Sequence, residues 1–213
     1  MKKEEDIDFL FKVLPKFSNR MVKSYFNLPL DNYLGEGQIF RERRFSKVLF
    51  SGTKPNVVGE TNFFQDEEIN RYAGGIDRKY DLVEPTVCQD FIDLYRNYIG
   101  PVFYNPNCEV GFHQIRVLCD DSFVGHPVPE GWHTDGFDFV AMTCVAASNF
   151  TGGTSRIRSN LGSDHDFFSK ILQPSEMLIF NDRRYFHHTD PITNQVAGKI
   201  GYRDILVITI LML

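Results

Sequence analysis

Two histidines and one carboxylate are the residues of this chain best suited to chemistry. His133 and Asp135 lie in the segment Glu-Gly-Trp-His-Thr-Asp-Gly, and His187 follows the apolar run 177–180. This set matches the facial triad that holds non-haem Fe(II) and leaves positions open for a cosubstrate and O2. Alternate side chains of an extended segment point the same way, so residues 133 and 135 can face one metal. The set predicts an iron oxygenase, and a His-x-Asp in a surface turn is the plainer alternative.

The third ligand of such a triad has two candidates, because His188 adjoins His187. Strand alternation lets only one of two neighbouring side chains face inward. A strand register is also easily shifted by one residue. Periodicity alone therefore leaves both histidines open.

Arg203 is a further chemical signal, since it opens the strongly apolar, β-type run 205–211. A guanidinium keeps its charge and is costly to desolvate alone, so an arginine entering a buried strand needs an anionic partner. A dicarboxylate cosubstrate is one such partner. A salt bridge with Asp204, or with an aspartate elsewhere in the chain, is the other.

Five short blocks together resemble the bacterial 2-oxoglutarate/Fe(II) dioxygenases that hydroxylate free L-amino acids, the isoleucine dioxygenase group. The blocks are Phe-His-Gln-Ile-Arg at 112–116, Trp-His-Thr-Asp-Gly at 132–136, Asn-Phe-Thr-Gly-Gly at 149–153, Phe-His at 186–187 with Pro191 downstream, and Tyr-Arg-Asp-Ile-Leu at 202–206. Residues 40–44 and 74–78 are also similar to the amino-terminal part of that group. The likeness is strongest over about 112 to 209.

The resemblance implies a ligand set and a reaction. Fe(II) would be held by His133, Asp135 and His187, because the family's ligand follows a Phe such as the one at position 186. Arg203 would pair with the distal carboxylate of 2-oxoglutarate, and the reaction would release succinate and CO2. Related halogenases have a small residue where this chain has Asp135, so hydroxylation, or another oxidation such as desaturation, is favoured over halogenation. The substrate and the carbon attacked stay open.

Three residues are candidates for contacting the substrate. His113 and Arg116 lie in an otherwise apolar strand, where buried polar groups must form a hydrogen-bond network or line a pocket. Arg116 is also suited to binding the carboxylate of an amino acid through two parallel hydrogen bonds. Trp132 adjoins His133, so it either walls the pocket or fills the mouth of the barrel.

Two other function classes remain open at this point. The same triad occurs on folds that use no 2-oxoglutarate, such as an iron oxidase or a cupin-type enzyme acting on a small acid, where Arg203 would be structural or would hold the substrate. A non-catalytic barrel that binds a small acid or a metal is the third reading.

Composition limits the partners of the protein. The net charge of −5, and the absence of any uninterrupted basic cluster, argue against nucleic acid. The densest basic spot, Arg41, Arg43 and Arg44, is interpreted as strand residues that reach a pocket from one edge. No run reaches the about 18 apolar residues of a membrane span, and the acidic amino terminus is unlike a secretory signal.

The four cysteines indicate the compartment. None is in a Cys-x-x-Cys pair, so we expect reduced core thiols and a cytoplasmic enzyme without a membrane partner. They are Cys88, Cys108, Cys119 and Cys144.

The hydrophobic pattern changes once along the chain. Helical intervals over 7–27, broken at Pro15, and over 87–98 predict amino-terminal helices. Short apolar runs then predict strands at 110–119, 139–147, 177–180 and 205–211, with one short helix at 164–172 capped by Ser163 or Asp164.

This order predicts a mainly β fold with flanking α structure. The core would be a double-stranded β-helix (jelly-roll, cupin-like) braced by amino-terminal helices. A chain of 213 residues is expected to form one 2-oxoglutarate/Fe(II) dioxygenase domain over 1–213. Residues 1–100 would supply helical and edge-strand support, and residues 101–213 the jelly-roll core with the iron site.

Overall fold

The computed structural model describes residues 8–52, 54–59, 62–68, 74–103, 107–162 and 165–213. Its helices are α1 (Asn19–Ser24) and α2 (Pro85–Leu94), and α2 continues into a π-helical turn at Tyr95–Ile99. Its strands are β1 (Phe9–Val13), β2 (Arg41–Ser51), β3 (Lys54–Val57), β4 (Asn62–Phe63), β5 (Arg78–Lys79), β6 (Cys108–Cys119), β7 (Phe139–Ser148), β8 (Phe150–Gly152), β9 (Ser155–Arg158), β10 (Phe168–Lys170), β11 (Glu176–Asn181), β12 (Phe186–Thr189), β13 (Ile192–Asn194) and β14 (Gly201–Met212).

A seven-stranded antiparallel sheet in the order β1-β11-β7-β14-β6-β2-β3 dominates the fold. A three-stranded sheet, β10-β9-β12, lies against one face, where Ile157 and Phe168 pack on Val140, Cys144 and Phe180 of the large sheet. The helices cover the other face. The mainly β fold class predicted from the sequence is therefore confirmed, and β1, β2 and β3 supply the flanks of the large sheet.

Side-chain alternation divides the long central strands between these two faces. On β6, Val110 and Phe112 enter the core shared with the helices, and so do Leu206 and Ile208 on β14. The residues between them face the other way: Val207 on β14 packs towards the three-stranded sheet, and Gly111 on β6 lies against Phe45 and Thr209. Because the period of a strand is two, a polar residue on β6 or β14 is assigned to one face by its position alone.

Helix α2 forms where its sequence favours it. Pro85 occupies the first turn, where its missing N–H costs nothing. Val87, Phe91 and Ile92 make a stripe that is buried against the large sheet. The helix predicted at 87–98 is confirmed.

The helix predicted over 7–27 is wrong in its first half. Residues 9–13 form β1, which pairs with β11 in the register Phe9↔Phe180 to Val13↔Glu176. The unpaired edge of β11 offers backbone hydrogen bonds to an extended segment, and this tertiary pairing overrides the local helical spacing. The helix begins only at Asn19, where the Ser18 hydroxyl accepts from the Met21 N–H at 3.1 Å.

The short helix predicted at 164–172 is also wrong. Residues 168–170 form β10, which pairs with β9, and Phe168 packs on the Phe9 ring at 5.3 Å. As at β1, pairing with a neighbouring strand, here β9, gives the segment an extended conformation. The proposed capping residues Ser163 and Asp164 lie outside the described residues.

Two compositional expectations can be compared with the structure. All four cysteines are buried and free. Among the described residues, no helix has the length and apolar character needed to cross a membrane.

Candidate metal centre

Backbone pairing brings the two triad histidines together. The His133 N–H donates to the His187 carbonyl at 3.1 Å, and the His187 N–H donates to the His133 carbonyl at 2.9 Å. The bridge joins the loop before β7 to β12, and the imidazole centres lie 4.1 Å apart. Two residues distant in the sequence thus become direct neighbours across an antiparallel pair.

Asp135 completes a cluster of three ligand groups. Its Oδ1 lies 3.5 Å from His133 Nε2, and its Oδ2 lies 3.4 Å from His187 Nε2. Ligand atoms from all three residues lie within 4.8 Å of one another. Atoms bound at right angles to one divalent metal at ordinary bond lengths lie about 3 Å apart. The three side chains therefore fit a metal ion with little rearrangement.

The imidazole of His133 is oriented for metal binding. Its Nδ1 lies 2.9 Å from the Gly131 carbonyl, which can only accept a hydrogen bond. Nδ1 therefore carries a proton, and Nε2 faces the other ligand atoms. A carbonyl partner of this kind is the usual means by which proteins fix the tautomer of a metal-binding histidine.

The charges in the cluster hold Asp135 ionised. Burial raises the pKa of its carboxyl, but hydrogen bonds and positive charge from His133 and His187 outweigh burial and keep the pKa well below its usual range. Burial lowers the pKa of His133, whereas Asp135 and then Glu130 raise it to about 9 overall. The Asp135 carboxylate is therefore available as a ligand oxygen at neutral pH.

Asp182 organises the loop that carries the triad, and no sequence pattern indicated it. Its buried carboxylate accepts the backbone N–H groups of Asp135, Gly136 and Phe137 at 2.9, 2.8 and 3.0 Å. Its Oδ1 also lies 3.7 Å from His187 Nδ1. Burial and then the charge of Asp135 raise the pKa of Asp182. This side chain thus positions the loop that carries Asp135, and it lies beside the His187 ring without a hydrogen bond to it.

His188 and Trp132 lie on the outer side of the triad. The His188 ring packs on Trp132 at 5.5 Å, and the Arg158 guanidinium lies 4.3 Å from the Trp132 ring centre. His188 Nε2 faces Asp190 at 3.6 Å. His187, and not His188, stands with the other two ligands. Trp132 lies outside the cavity lining, although a substrate contact was expected for it.

The two candidate substrate residues of β6, His113 and Arg116, lie on opposite faces of the large sheet. His113 lines the cavity next to the triad. Arg116 lies on the opposite face, where its guanidinium donates to both oxygens of Asp204 at 2.7 and 2.8 Å. The rings of Phe26 and Tyr202 lie 4.0 and 4.5 Å from its guanidinium carbon. The substrate contact expected of Arg116 is not supported, because strand alternation points the side chain at the helices.

Arg203 is buried on the cavity side of β14, with 2% of its surface exposed. Its guanidinium donates to the Ser155 hydroxyl at 2.9 Å, and its Nε has no hydrogen-bond partner. Burial lowers its pKa. Within the described ranges no carboxylate pairs with it, and Asp204, the plainer partner, is bound to Arg116 instead.

The amino-terminal half contributes one wall of the cavity, which the sequence predicted only in part. The cavity holds about 650 Å³ of empty space, including the part open to solvent, and the triad lies along one side of it. Arg41 and Arg43 on β2 reach it from the edge, as predicted, and Gln65 and Arg78 join them. Arg44, predicted with them, points away from the cavity and donates to the Leu82 carbonyl at 3.0 Å. The alternation of arginines at 41 and 43 was a usable signal. Arg78 ends the segment 74–78 that resembles the family's amino-terminal part, whereas no sequence pattern indicated Gln65.

The chain belongs to the 2OG-Fe dioxygenase family, whose model matches residues 22–209. Proteins of this family have a double-stranded β-helix core and use Fe(II), 2-oxoglutarate and O2. The fold class and the cofactors predicted from the sequence are both confirmed at this level.

Several solved structures share the fold. A bsmA homolog from Methylobium petroleophilum PM1 is 22% identical over 91% of this chain and 80% of its own, with a TM-score of 0.74. IDO from Bacillus thuringiensis is 18% identical over 96% of this chain and 94% of its own, with a TM-score of 0.77. The Fe(II)/α-ketoglutarate-dependent dioxygenase TqaL is 14% identical over 97% and 83%, with a TM-score of 0.62. No curated protein sequence matches the chain significantly.

Proposed function

We propose that this protein is a non-haem Fe(II)/2-oxoglutarate-dependent dioxygenase that hydroxylates an unactivated C–H bond of a free L-amino acid. The observation that carries the proposal is the convergence of His133, Asp135 and His187 on one point beside the cavity. Two imidazoles and a carboxylate leave half of an octahedral coordination shell free for cosubstrate and O2.

The roles of the triad follow from its geometry. His133 and His187 would bind Fe(II) through Nε2, and Asp135 would bind it through a carboxylate oxygen. Asp182 would keep the loop of Asp135 in place through its hydrogen bonds to the backbone of residues 135–137. When bound, Fe(II) and 2-oxoglutarate supply the oxidising chemistry that inserts one oxygen atom into the substrate and releases succinate and CO2.

Arg203 is our candidate for the anchor of the distal carboxylate of 2-oxoglutarate. A buried guanidinium with an unpartnered Nε and no carboxylate among the described residues is ready for a ligand anion. The Ser155 hydroxyl holds the guanidinium at one nitrogen, which limits the rotamers it can adopt. Arg116, the other buried arginine of these two strands, is excluded from this role by its pairing with Asp204.

A free amino acid is supported as the substrate by the five sequence blocks, which resemble the amino-acid hydroxylases, and by the cavity that opens beside the triad. The 2-oxoglutarate-independent oxidase and the non-catalytic barrel gain no support from any contact in the cavity. The cytoplasmic location predicted from the sequence remains part of the proposal, supported by the four free cysteines.

A single assay tests the proposed function. The purified protein is incubated with Fe(II), ascorbate, 2-oxoglutarate and each of the twenty free amino acids, and products are read by mass spectrometry. We expect one amino acid, or a few, to gain one oxygen atom with one succinate formed for each O2 consumed. Oxygen uptake without succinate would favour the oxidase, and iron retention without oxygen uptake would favour a binding protein.

A further inference from the structure

Three arginines line the cavity beside the triad, and they differ in their partners. Arg41 is neutralised by Asp31, whose carboxylate lies 2.8 Å from its Nε. Arg43 and Arg78 are buried to a similar degree, with 7% and 2% of their surfaces exposed. Within the ranges that the structure describes, neither has a carboxylate within ion-pair distance. Two buried positive charges thus face the cavity without a protein counter-ion.

Neutral groups hold the Arg43 side chain in place. One terminal nitrogen contacts His113 Nδ1, and the other donates to the Tyr80 hydroxyl at 3.4 Å. Burial and then the charge of Arg43 hold the pKa of His113 well below its usual range, so this imidazole is neutral and accepts the hydrogen bond. The Nε of Arg43 has no partner. The contacts orient the guanidinium but leave its charge uncompensated.

Arg78 is held in a comparable way. It donates to the Gln65 Oε1 at 2.7 Å, and its Nε has no partner. The Gln65 amide in turn donates to Asp135 Oδ1 and to the Asp135 carbonyl, both at 3.1 Å. A continuous chain of hydrogen bonds therefore connects Arg78 to a metal ligand. An anion bound by Arg78 would take a fixed position relative to the iron.

The two guanidinium groups pack on the same aromatic ring, and burial together with the charge of Arg43 lowers the pKa of Arg78. Their central carbons are 5.2 and 4.6 Å from the centre of the same Phe63 ring. Like charges in a poorly solvated pocket repel, and the cost is removed when an anion binds between them. Arginine pairs suit planar anions because each offers parallel N–H donors.

We infer that Arg43 and Arg78 together bind the carboxylate of the substrate and so restrict the enzyme to small molecules with a free acid group. This inference rests on the proposed function and adds the recognition of the substrate to it. Arg203 is hydrogen-bonded to Ser155 of the three-stranded sheet and would serve the cosubstrate separately. The free α-carboxylate of an amino acid meets the requirement. An amino-acid amide, an amine or an internal residue of a peptide does not.

The first experiment needs no variant. The Fe(II)- and 2-oxoglutarate-loaded protein is kept without oxygen, and binding of twenty L-amino acids and of their twenty carboxamides is measured by calorimetry and by protection against heat. Losing one buried charge-assisted contact costs about 30-fold in affinity. We expect the preferred acid to bind at least that much more tightly than its amide. Equal binding of acid and amide, or protection by no acid, would overturn the inference.

Variants then assign the discrimination to the two arginines. Arg43→Gln and Arg78→Gln should each bind the acid as weakly as the amide, while the affinity for 2-oxoglutarate measured without amino acid stays within about 2-fold of the parent. Arg44→Gln is the matched control, because Arg44 donates to the Leu82 and Asn27 carbonyls outside the cavity. Variants that keep the preference for the acid contradict the inference. Variants that lose 2-oxoglutarate instead assign the pair to the cosubstrate.

The two proposals can fail separately. If acids bind selectively but no succinate forms under oxygen, the carboxylate site stands and the dioxygenase activity fails. If amides are oxygenated as efficiently as acids, with succinate formed, the activity stands and the carboxylate site fails. Should the glutamine variants not fold, Arg43→Lys and Arg78→Lys keep the charge but lose the planar guanidinium, and we expect each to lose most of the preference for the acid; an unchanged preference would overturn the assignment.

Discussion

The two faces of the seven-stranded sheet bury arginine in different ways. On the helix-covered face, Arg116 is paired with Asp204 through two short hydrogen bonds. On the cavity face, Arg203, which directly precedes Asp204 on β14, has the Ser155 hydroxyl as its only side-chain hydrogen-bond partner among the described residues. Arg43 and Arg78 likewise have no carboxylate partner among the described residues. Arg41, which pairs with Asp31, is the exception.

This difference separates structural charge from charge held for a ligand. A buried ion pair satisfies itself, and removing one partner leaves the other charge uncompensated. A buried guanidinium without a counter-ion stays costly until an anion arrives. The helix-covered face therefore uses arginine for folding, whereas the cavity face keeps positive charge available for the dicarboxylate cosubstrate and the acid substrate that we propose.

The largest expected effect concerns the two adjacent histidines of β12, which point to opposite sides. His187→Ala should abolish turnover and metal retention, because it removes one of three ligands that hold the metal in its reactive geometry. His188→Ala should leave both largely intact, since that ring packs on Trp132. Anaerobic equilibrium dialysis with Fe(II) and a succinate assay measure the two properties. Loss of iron in His188→Ala with retention in His187→Ala would reverse our assignment.

The free energy of unfolding should depend strongly on the ion pair of Arg116 on β6 and only weakly on Arg203 on the neighbouring strand β14. Asp204→Asn removes the counter-ion of buried Arg116 and should lower the free energy of unfolding by about 3–5 kcal/mol. Arg203→Met loses one hydrogen bond to Ser155, worth about 1 kcal/mol, and removes an uncompensated charge. Urea denaturation of the metal-free protein gives both values. An equally large loss in Arg203→Met would mean that Arg203 is structural.

The affinity for 2-oxoglutarate should depend on Arg203 and not on Arg116, the reverse of the order for stability. Arg203→Lys keeps the charge but loses the planar, donor-rich guanidinium, so 2-oxoglutarate affinity should fall by about 30-fold or more. Arg116→Lys is the matched control and should bind 2-oxoglutarate as the parent does. Titration under anaerobic conditions without amino acid measures the constants. Unchanged affinity in Arg203→Lys would move the cosubstrate anchor to another residue.

The smallest expected effect concerns Trp132, which stands beside the triad but outside the cavity lining. Trp132→Phe should lower the free energy of unfolding by about 0.5–1 kcal/mol, because it weakens the contact with the Arg158 guanidinium. The KM for the amino acid should change by no more than about 2-fold. Chemical denaturation and steady-state kinetics supply the two numbers. A large rise in KM would restore Trp132 as a substrate residue.

Several features could be predicted from the sequence because short-range rules govern them. The His-x-Asp spacing identified two neighbouring ligand groups, and the stripe over 87–98 identified α2. Alternation could even have excluded Arg116, since His113 and Arg116 are three residues apart on one strand and must face opposite sides. The error at β1 has the opposite origin: the open edge of β11 imposed an extended conformation on a helical pattern.

The sequence by itself determined the types of the candidate metal ligands and the division of each strand into two faces. It also predicted that the four cysteines are free thiols. Only the tertiary structure decided which face encloses the cavity. It also decided that Asp204 serves Arg116 rather than the adjacent Arg203, and that Arg43 and Arg78 converge on one aromatic ring. The reason is physical. Periodicity is set by the local backbone, whereas the presence or absence of a counter-ion depends on residues that reach the same place from distant parts of the chain.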